Sequence, residues 1–250
     1  MPSSFSIKLG DFLYKNVFPV YNIVYPIFKK RQDKHEIALL KQYIKKGDVV
    51  LDIGANIGFY TKILSDLVGE TGKVYAFEPD KTNFSHLKKA VENLKNVALI
   101  NKAVSDKTGV ITLYHSDLLN VDHKTYATKD YTSKTEIECV AIDDVIPDKK
   151  VDFIKIDIQG YEYFAFQGMT EVFKANEDLK IIAELYPYGL NNSGIKVEEF
   201  VSFLRSSDLY IYKMHDNNLK ILTDDDVVKL NSENYRIHIV DILLSKKRIV

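Results

Sequence analysis

The chain has 250 residues, of which 46% are hydrophobic and 28% charged, and its formal net charge is -1. That length suits one large α/β domain with a substantial core, and the charge gives no reason to expect a polyanionic partner. The single cysteine, Cys139, excludes an intrachain disulfide and fits a reducing, cytoplasmic compartment, and no Cys/His cluster suggests zinc.

The first 33 residues read as an aromatic and basic N-terminal arm. Residues 1–46 carry nine Lys/Arg against three Asp/Glu, which leaves the remainder acidic. There is no cleavable signal pattern and no uninterrupted apolar stretch long enough to cross a bilayer. The segment Phe12–Phe28 comes nearest, but Lys15, Asn16, Pro19, Asn22 and Pro26 break it, and Lys29-Lys30-Arg31 follow it. Two readings stand: an arm covering one side of the core, or a segment resting peripherally on a membrane surface or a partner.

Residues 34–46 predict an amphipathic helix with Ile37, Leu40 and Ile44 on one face and Gly47 ending it. The apolar run 49–53 predicts a first strand, followed by the loop Gly54–Gly58 and a helix to about residue 68. A second strand over 73–77 ends at Glu78, and Asp80 can cap a helix over 81–93. A third strand is expected near 97–101. The β-type runs Val110–His115 and Thr135–Val140 suggest an inserted hairpin or an edge extension within about 105–140. Val151–Asp157 reads as a central parallel strand. A loop at Ile158–Gly160 leads into a helix ending near Gly168, and Leu179–Glu184, Leu209–Lys213 and Arg236–Leu244 predict further strands. Val197–Ser206 predicts a helix, and the last strand is expected antiparallel because its connection shows no clear helix. The alternation predicts a doubly wound, mainly parallel sheet spanning residues 34–250.

Gly54 permits a sharp turn close to a ligand, and Glu78 stands where a carboxylate accepts ribose hydroxyls. The loop lacks the Gly-x-Gly-x-x-Gly pattern of a pyrophosphate site, so a nucleoside without phosphates, such as S-adenosylmethionine, fits better.

The motifs Asp52-Ile53-Gly54-Ala55-Asn56-Ile57-Gly58-Phe59-Tyr60-Thr61, Phe77-Glu78-Pro79, Asn101-Lys102-Ala103-Val104-Ser105 and Asp152-Phe153-Ile154-Lys155-Ile156-Asp157-Ile158-Gln159-Gly160-Tyr161-Glu162 resemble the FkbM-type methyltransferases over about Glu36–Leu185. The resemblance implies a seven-stranded, Rossmann-like class I sheet, S-adenosylmethionine as cofactor, and O-methylation of a sugar, glycan or other small molecule. It implies that Asp52 accepts the cofactor's amino group, directly or through water, that Gly54, Asn56, Gly58 and Phe59 hold its methionine part, that Glu78 with Pro79 holds the ribose, and that Ala103, Val104 and Ser105 read the adenine. Many family members have Glu where this chain has Gln159, so a role needing charge at that position is absent.

Asp157 ends the fourth strand and is expected beside the cofactor sulfur. Lys155, two residues earlier, shares its side of the strand and needs a partner there. The expected catalytic set is Asp157 as base or orienter, with Glu184 or His215 in support. Asp157 and Glu184 at neighbouring strand ends admit a divalent ion, but a hard cation needs more oxygen ligands, so no metal site is assigned. Glu162 would orient the loop or serve the helix dipole. Residues 116–134 would suit a sugar or act as a lid. The acidic catalytic part argues against nucleic acid as partner. A methyltransferase acting on RNA or protein, and a non-catalytic cofactor-binding module, are the competing functions.

Overall fold

The computed structural model describes residues 4–116, 131–215, 218–232 and 238–249. The arm folds into helices α1 (Ser4–Asn16) and α2 (Phe18–Gln32), and α3 (Lys34–Tyr43) leads into the first strand. Then come β1 (Val49–Ile53), α4 (Phe59–Val68), β2 (Lys73–Phe77), α5 (Lys81–Ala90), β3 (Val97–Ile100) and the short β4 (Ala103–Val104). The hairpin β5 (Gly109–Ser116) and β6 (Tyr131–Val140) follows, then α6 (Ile142–Val145), β7 (Phe153–Ile156), α7 (Glu162–Gln167) and α8 (Thr170–Ala175). The chain continues through β8 (Lys180–Leu185), α9 (Pro187–Asn192), α10 (Val197–Ser206), β9 (Tyr210–His215), β10 (Asn218–Ile221), α11 (Asp224–Leu230) and β11 (Val240–Ser245).

The main sheet has the order β10-β9-β11-β8-β7-β1-β2-β3. Neighbours from β3 to β8 pair in parallel, whereas β11 is antiparallel to both β8 and β9, as the sequence predicts. Seven strands match the expected architecture, and β10 adds an eighth at the edge by pairing antiparallel with β9. The connection before β11 differs from the expectation of no helix: it carries α11. Thr223 starts that helix with a reciprocal capping box, its hydroxyl accepting from the Asp226 N–H while the Asp226 carboxylate accepts from the Thr223 N–H.

The inserted hairpin does not extend the main sheet. It forms a separate three-stranded sheet in which β6 pairs antiparallel with β5 and parallel with β4. The sugar or lid reading of 116–134 falls largely on 117–130, outside the described residues.

Helices cover both faces of the main sheet, so its central strands are apolar throughout. On one face α7, α8 and α10 pack Phe166, Val172 and Phe200 against Leu51, Ile154 and Ile181. On the other, α3 and α4 pack Leu40 and Leu64 against Val50, Val74 and Phe153. The arm lies on this second side through an aromatic series. Tyr14 donates to Asn83 Oδ1 at 2.5 Å, Phe18 stacks on His86, Tyr21 stacks on Tyr25, and Tyr25 meets Phe59 edge to face. Among the described residues no helix is long and apolar enough to cross a membrane.

Candidate cofactor and acceptor site

The parallel strands β1, β2 and β7 end together, and a cleft of ≈ 240 Å³ opens beyond their carboxyl ends. Of the residues expected from sequence, Gly54, Asn56, Phe59, Glu78, Pro79, Ala103, Val104, Asp157 and Glu184 line it. Asp52, Gly58 and Ser105 do not. Sequence reasoning missed Tyr25 and Lys29 from the arm, Lys102, and Leu113 from the inserted hairpin, all of which line the same cleft.

Gly54 has φ +83, and a Cβ there would lie 2.0 Å from the Asp157 carbonyl oxygen. The turn is as expected, but what the missing side chain clears is the β7 backbone. Gly58, with φ +90, caps α4, and a Cβ would press on Leu87 of α5 at 2.9 Å. These two glycines set the spacing of the loop against its own scaffold.

Glu78 is 6% exposed. One carboxylate oxygen accepts the Asn56 N–H at 2.8 Å and the other the Asp80 N–H at 2.9 Å. Burial nonetheless pushes its pKa up to about 8, against the pull of those two donors. Each oxygen keeps lone-pair capacity for a further donor. Asp52 is fully buried, where Oδ2 accepts from the Thr61 hydroxyl at 2.5 Å. Burial raises its pKa, opposed by Lys155 and that hydrogen bond. Asp52 Oδ1 and Asn56 Oδ1 are buried without a hydrogen-bond partner. Unsatisfied buried acceptors flanking the loop are what an amino-bearing nucleoside would complete, so the residues present fit S-adenosylmethionine.

Ser105 lies behind the cleft wall. Its hydroxyl donates to Asp106 at 2.9 Å and sits 3.2 Å from the Tyr161 hydroxyl. Glu162 accepts the Ile158 N–H at 3.1 Å, which ties the helix start to the loop after β7.

A second cavity of ≈ 230 Å³ shares Lys29, Tyr60, Lys155, Asp157 and Glu184 with the first, and adds Gln32, Asp33, Glu36 and Asp241. Lys155 is 4% exposed inside this group, with Nζ 3.5 Å from Asp157 Oδ2 and 4.4 Å from the Tyr60 ring centroid. Burial works to lower its pKa, but Asp157, Glu36, Asp52 and Glu184 together raise it. Burial likewise works against ionised Asp157, yet Lys155 and then Lys29 hold its pKa below the usual carboxylate value. Glu184 goes the other way: burial and the Asp157 charge raise its pKa well above normal. Gln159 bridges the two acids, its amide donating to Asp157 Oδ1 at 2.9 Å and approaching Glu184 Oε2 at 3.5 Å.

On the arm side, Lys29 pairs with Asp33 at 2.7 Å, and the Tyr60 hydroxyl lies 2.6 Å from Asp33 and 2.5 Å from Glu36. One phenolic hydrogen is shared between two carboxylate oxygens, a crowding that a proton on Glu36 relieves, and burial pushes the Glu36 pKa up to about 7.

His215 closes β9, three strands from β7 across β8 and β11, a lateral distance of about 14 Å at ordinary strand spacing. Its side chain lies outside the described residues. Among the described residues no group of three or more His, Cys, Asp or Glu could hold a metal ion.

A doubly wound sheet with a glycine loop after β1 and an acid at the end of β2 defines a class I S-adenosylmethionine-dependent methyltransferase fold. Solved structures share it: a candidate rRNA methylase from Clostridium thermocellum has a TM-score of 0.53 at 16% identity, covering 86% of this chain and 95% of that one. A candidate methyltransferase from Streptococcus mutans, solved with S-adenosylhomocysteine, has a TM-score of 0.51 at 16% identity, covering 86% of this chain and 97% of that one. The family profile for the FkbM methyltransferase domain matches residues 52–208, and the chain belongs to that family. The hexuronic acid methyltransferase AglP of Haloferax volcanii is 26% identical over 150 residues, covering 58% of this chain and 59% of that protein. This chain thus spans less than two thirds of that relative's length.

Proposed function

We propose that the protein transfers the methyl group of S-adenosylmethionine to a hydroxyl oxygen of a sugar or a similar polyhydroxylated small molecule. The observation that carries this reading is the second cavity, which joins the cofactor cleft at Asp157 and Glu184. Its walls offer carboxyl groups, an amide and a tyrosine, the donors and acceptors that a polyol engages. Two of its five acids, Asp33 and Asp157, face Lys29 and Lys155. Burial raises the pKa values of the other three, Glu36, Glu184 and Asp241. A hydroxyl-rich acceptor suits those walls, and AglP, by its name, acts on a sugar acid.

When bound, the cofactor supplies an electrophilic methyl group, so the chain's own task is alignment and removal of one proton. Asn56 and the loop Gly54–Phe59 would hold the amino-acid end, and Asp52, buried behind that loop, would act through a bridging water. Glu78 would take the ribose hydroxyls, and Ala103 and Val104 would wall the adenine. Ser105 supports that wall through Tyr161. Asp157, kept ionised by Lys155, orients the acceptor and disperses charge beside the sulfur. Glu184 is the more basic of the two acids and would take the acceptor's hydroxyl proton, becoming a neutral carboxyl. Glu184 is two strands closer to Asp157 than the strand bearing His215, which leaves His215 a supporting role at most.

The test is an acceptor screen with the purified protein, following S-adenosylhomocysteine release and product mass across neutral sugars, amino sugars, hexuronic acids, ribosomal RNA and peptides. Methylated sugar is the expected product. Methyl transfer confined to RNA or protein overturns the reading, as does cofactor binding without turnover on any acceptor.

A further inference from the structure

Helix α2 has two faces of opposite character. Its inward face carries Phe18, Tyr21, Tyr25 and Lys29, which dock the arm and line the site. Its outward face carries Val20, Ile23, Val24, Ile27 and Phe28, at 43%, 68%, 48%, 69% and 47% exposure. These positions recur at the spacing of a single helical stripe. The concentration is not a scatter of ordinary surface residues: of thirteen large apolar side chains exposed among the described residues, eight fall between Leu9 and Phe28.

We infer that the outward face of α2 rests on an anionic lipid bilayer and holds the mouth of the acceptor cavity at that surface. Charge decides the occupant. Exposed Lys30 and Arg31 lie three and four residues beyond Ile27, on the same side of the helix, and exposed Lys34 follows. The sequence of α2 contains no Asp or Glu, so a second copy laid against this stripe would bring no acid from its own α2 to meet those cations. An apolar stripe edged with Lys and Arg is what an interfacial helix presents to acidic headgroups. The helix has 15 residues and the chain's described helices cannot span a bilayer, so contact is parallel to the surface.

The placement deepens the proposed function. Gln32, at the end of α2, and Ile239, 47% exposed, both line the second cavity, so its rim lies beside the basic end of the stripe. An acceptor whose sugar is borne on a lipid would reach Glu184 from there. This last step rests on the sugar reading, whereas bilayer contact does not.

The experiment is flotation of the full chain with vesicles of phosphatidylcholine alone and with roughly a third phosphatidylglycerol. Wild type should float with the anionic vesicles and not the neutral ones, and high salt should weaken binding. Ile23→Ser with Ile27→Ser, and separately Lys30→Glu with Arg31→Glu, should each weaken it at least about tenfold while S-adenosylhomocysteine affinity by calorimetry stays unchanged. Absence of flotation, equal flotation of the variants, or a wild-type dimer that the serine variant dissociates would each overturn the inference. Failure of the acceptor screen alone would leave flotation intact and strike only the sugar reading.

Discussion

The Gln159 amide donates to the Asp157 carboxylate at 2.9 Å and lies 3.5 Å from Glu184, so a neutral side chain sits between two acids. Gln159 itself holds a positive φ of 57, which aims the loop's backbone as well as its side chain. Replacing this donor by the Glu common in the family removes the hydrogen bond and places a third carboxyl against the pair. For Gln159→Glu we expect kcat/KM to fall about tenfold at neutral pH, because leaving a buried acid unpaired costs on the order of 1–3 kcal/mol. The acid limb of the pH–rate profile should move to higher pH. An unchanged profile would show that the amide does not position the acids.

Glu184 and Asp157 should separate in their pH behaviour. Turnover of wild type should rise with pH as Glu184, whose pKa is raised, loses its proton. Glu184→Gln should lower kcat by roughly 100-fold and abolish that rise. Asp157→Asn should also lower kcat but keep the rise. Retention of the acid limb in Glu184→Gln would assign the proton to another group.

Glu78→Ala should weaken S-adenosylhomocysteine binding by roughly tenfold to a hundredfold, the range of a lost charged hydrogen bond. The wild-type affinity should itself tighten as pH rises through about 8, because the ionised carboxylate accepts from hydroxyls and the neutral acid does so less well. Calorimetry over that range checks both statements, and wild-type affinity in the Ala variant would refute the ribose assignment.

Stability should decline as pH rises toward neutrality. Glu36 has a folded pKa of about 7, above its unfolded value, so its contribution is fully present below the unfolded pKa and is lost as pH climbs through about 7. Between those limits the slope for such a group is about 1 kcal/mol per pH unit. Glu36→Gln keeps a neutral partner for Tyr60 and should flatten the decline in denaturant melts. An identical slope in the variant would place the bound proton elsewhere.

Gly54→Ala should destabilise the fold by about 2 kcal/mol or more, because both its positive φ and the Asp157 carbonyl oppose a methyl group. Thermal melting measures this directly.

The cleft at the ends of β1 and β2 was legible because it is local. A strand, a glycine loop and an acid at the next strand end are contiguous in sequence, and their spacing survives folding. Ala103 and Val104 were legible for the same reason, but the residue after them was not: Ser105 turns its hydroxyl away to Tyr161 and Asp106, a parity that only packing against α7 decides. Tyr25, Lys29 and Asp33 from the arm, and Glu36 from α3, reach the site by long-range contacts, for which no local motif exists. One signal was present: Tyr21, Tyr25 and Lys29 recur every four residues, a second stripe within the aromatic segment. Helix α11 was also readable, since Thr223 followed three residues later by Asp226 is a capping pattern.

Because Lys29 and Gln32 belong to α2, Asp33 follows it and Glu36 lies in α3, the family-matched region 52–208 supplies only part of the second cavity. A fragment trimmed to those boundaries would lose the wall those residues form, together with Val49–Leu51 of β1 and the strands β9, β10 and β11. Exchanging the first 33 residues between relatives would therefore reshape the second cavity and, through Tyr25 and Lys29, one wall of the first cleft as well.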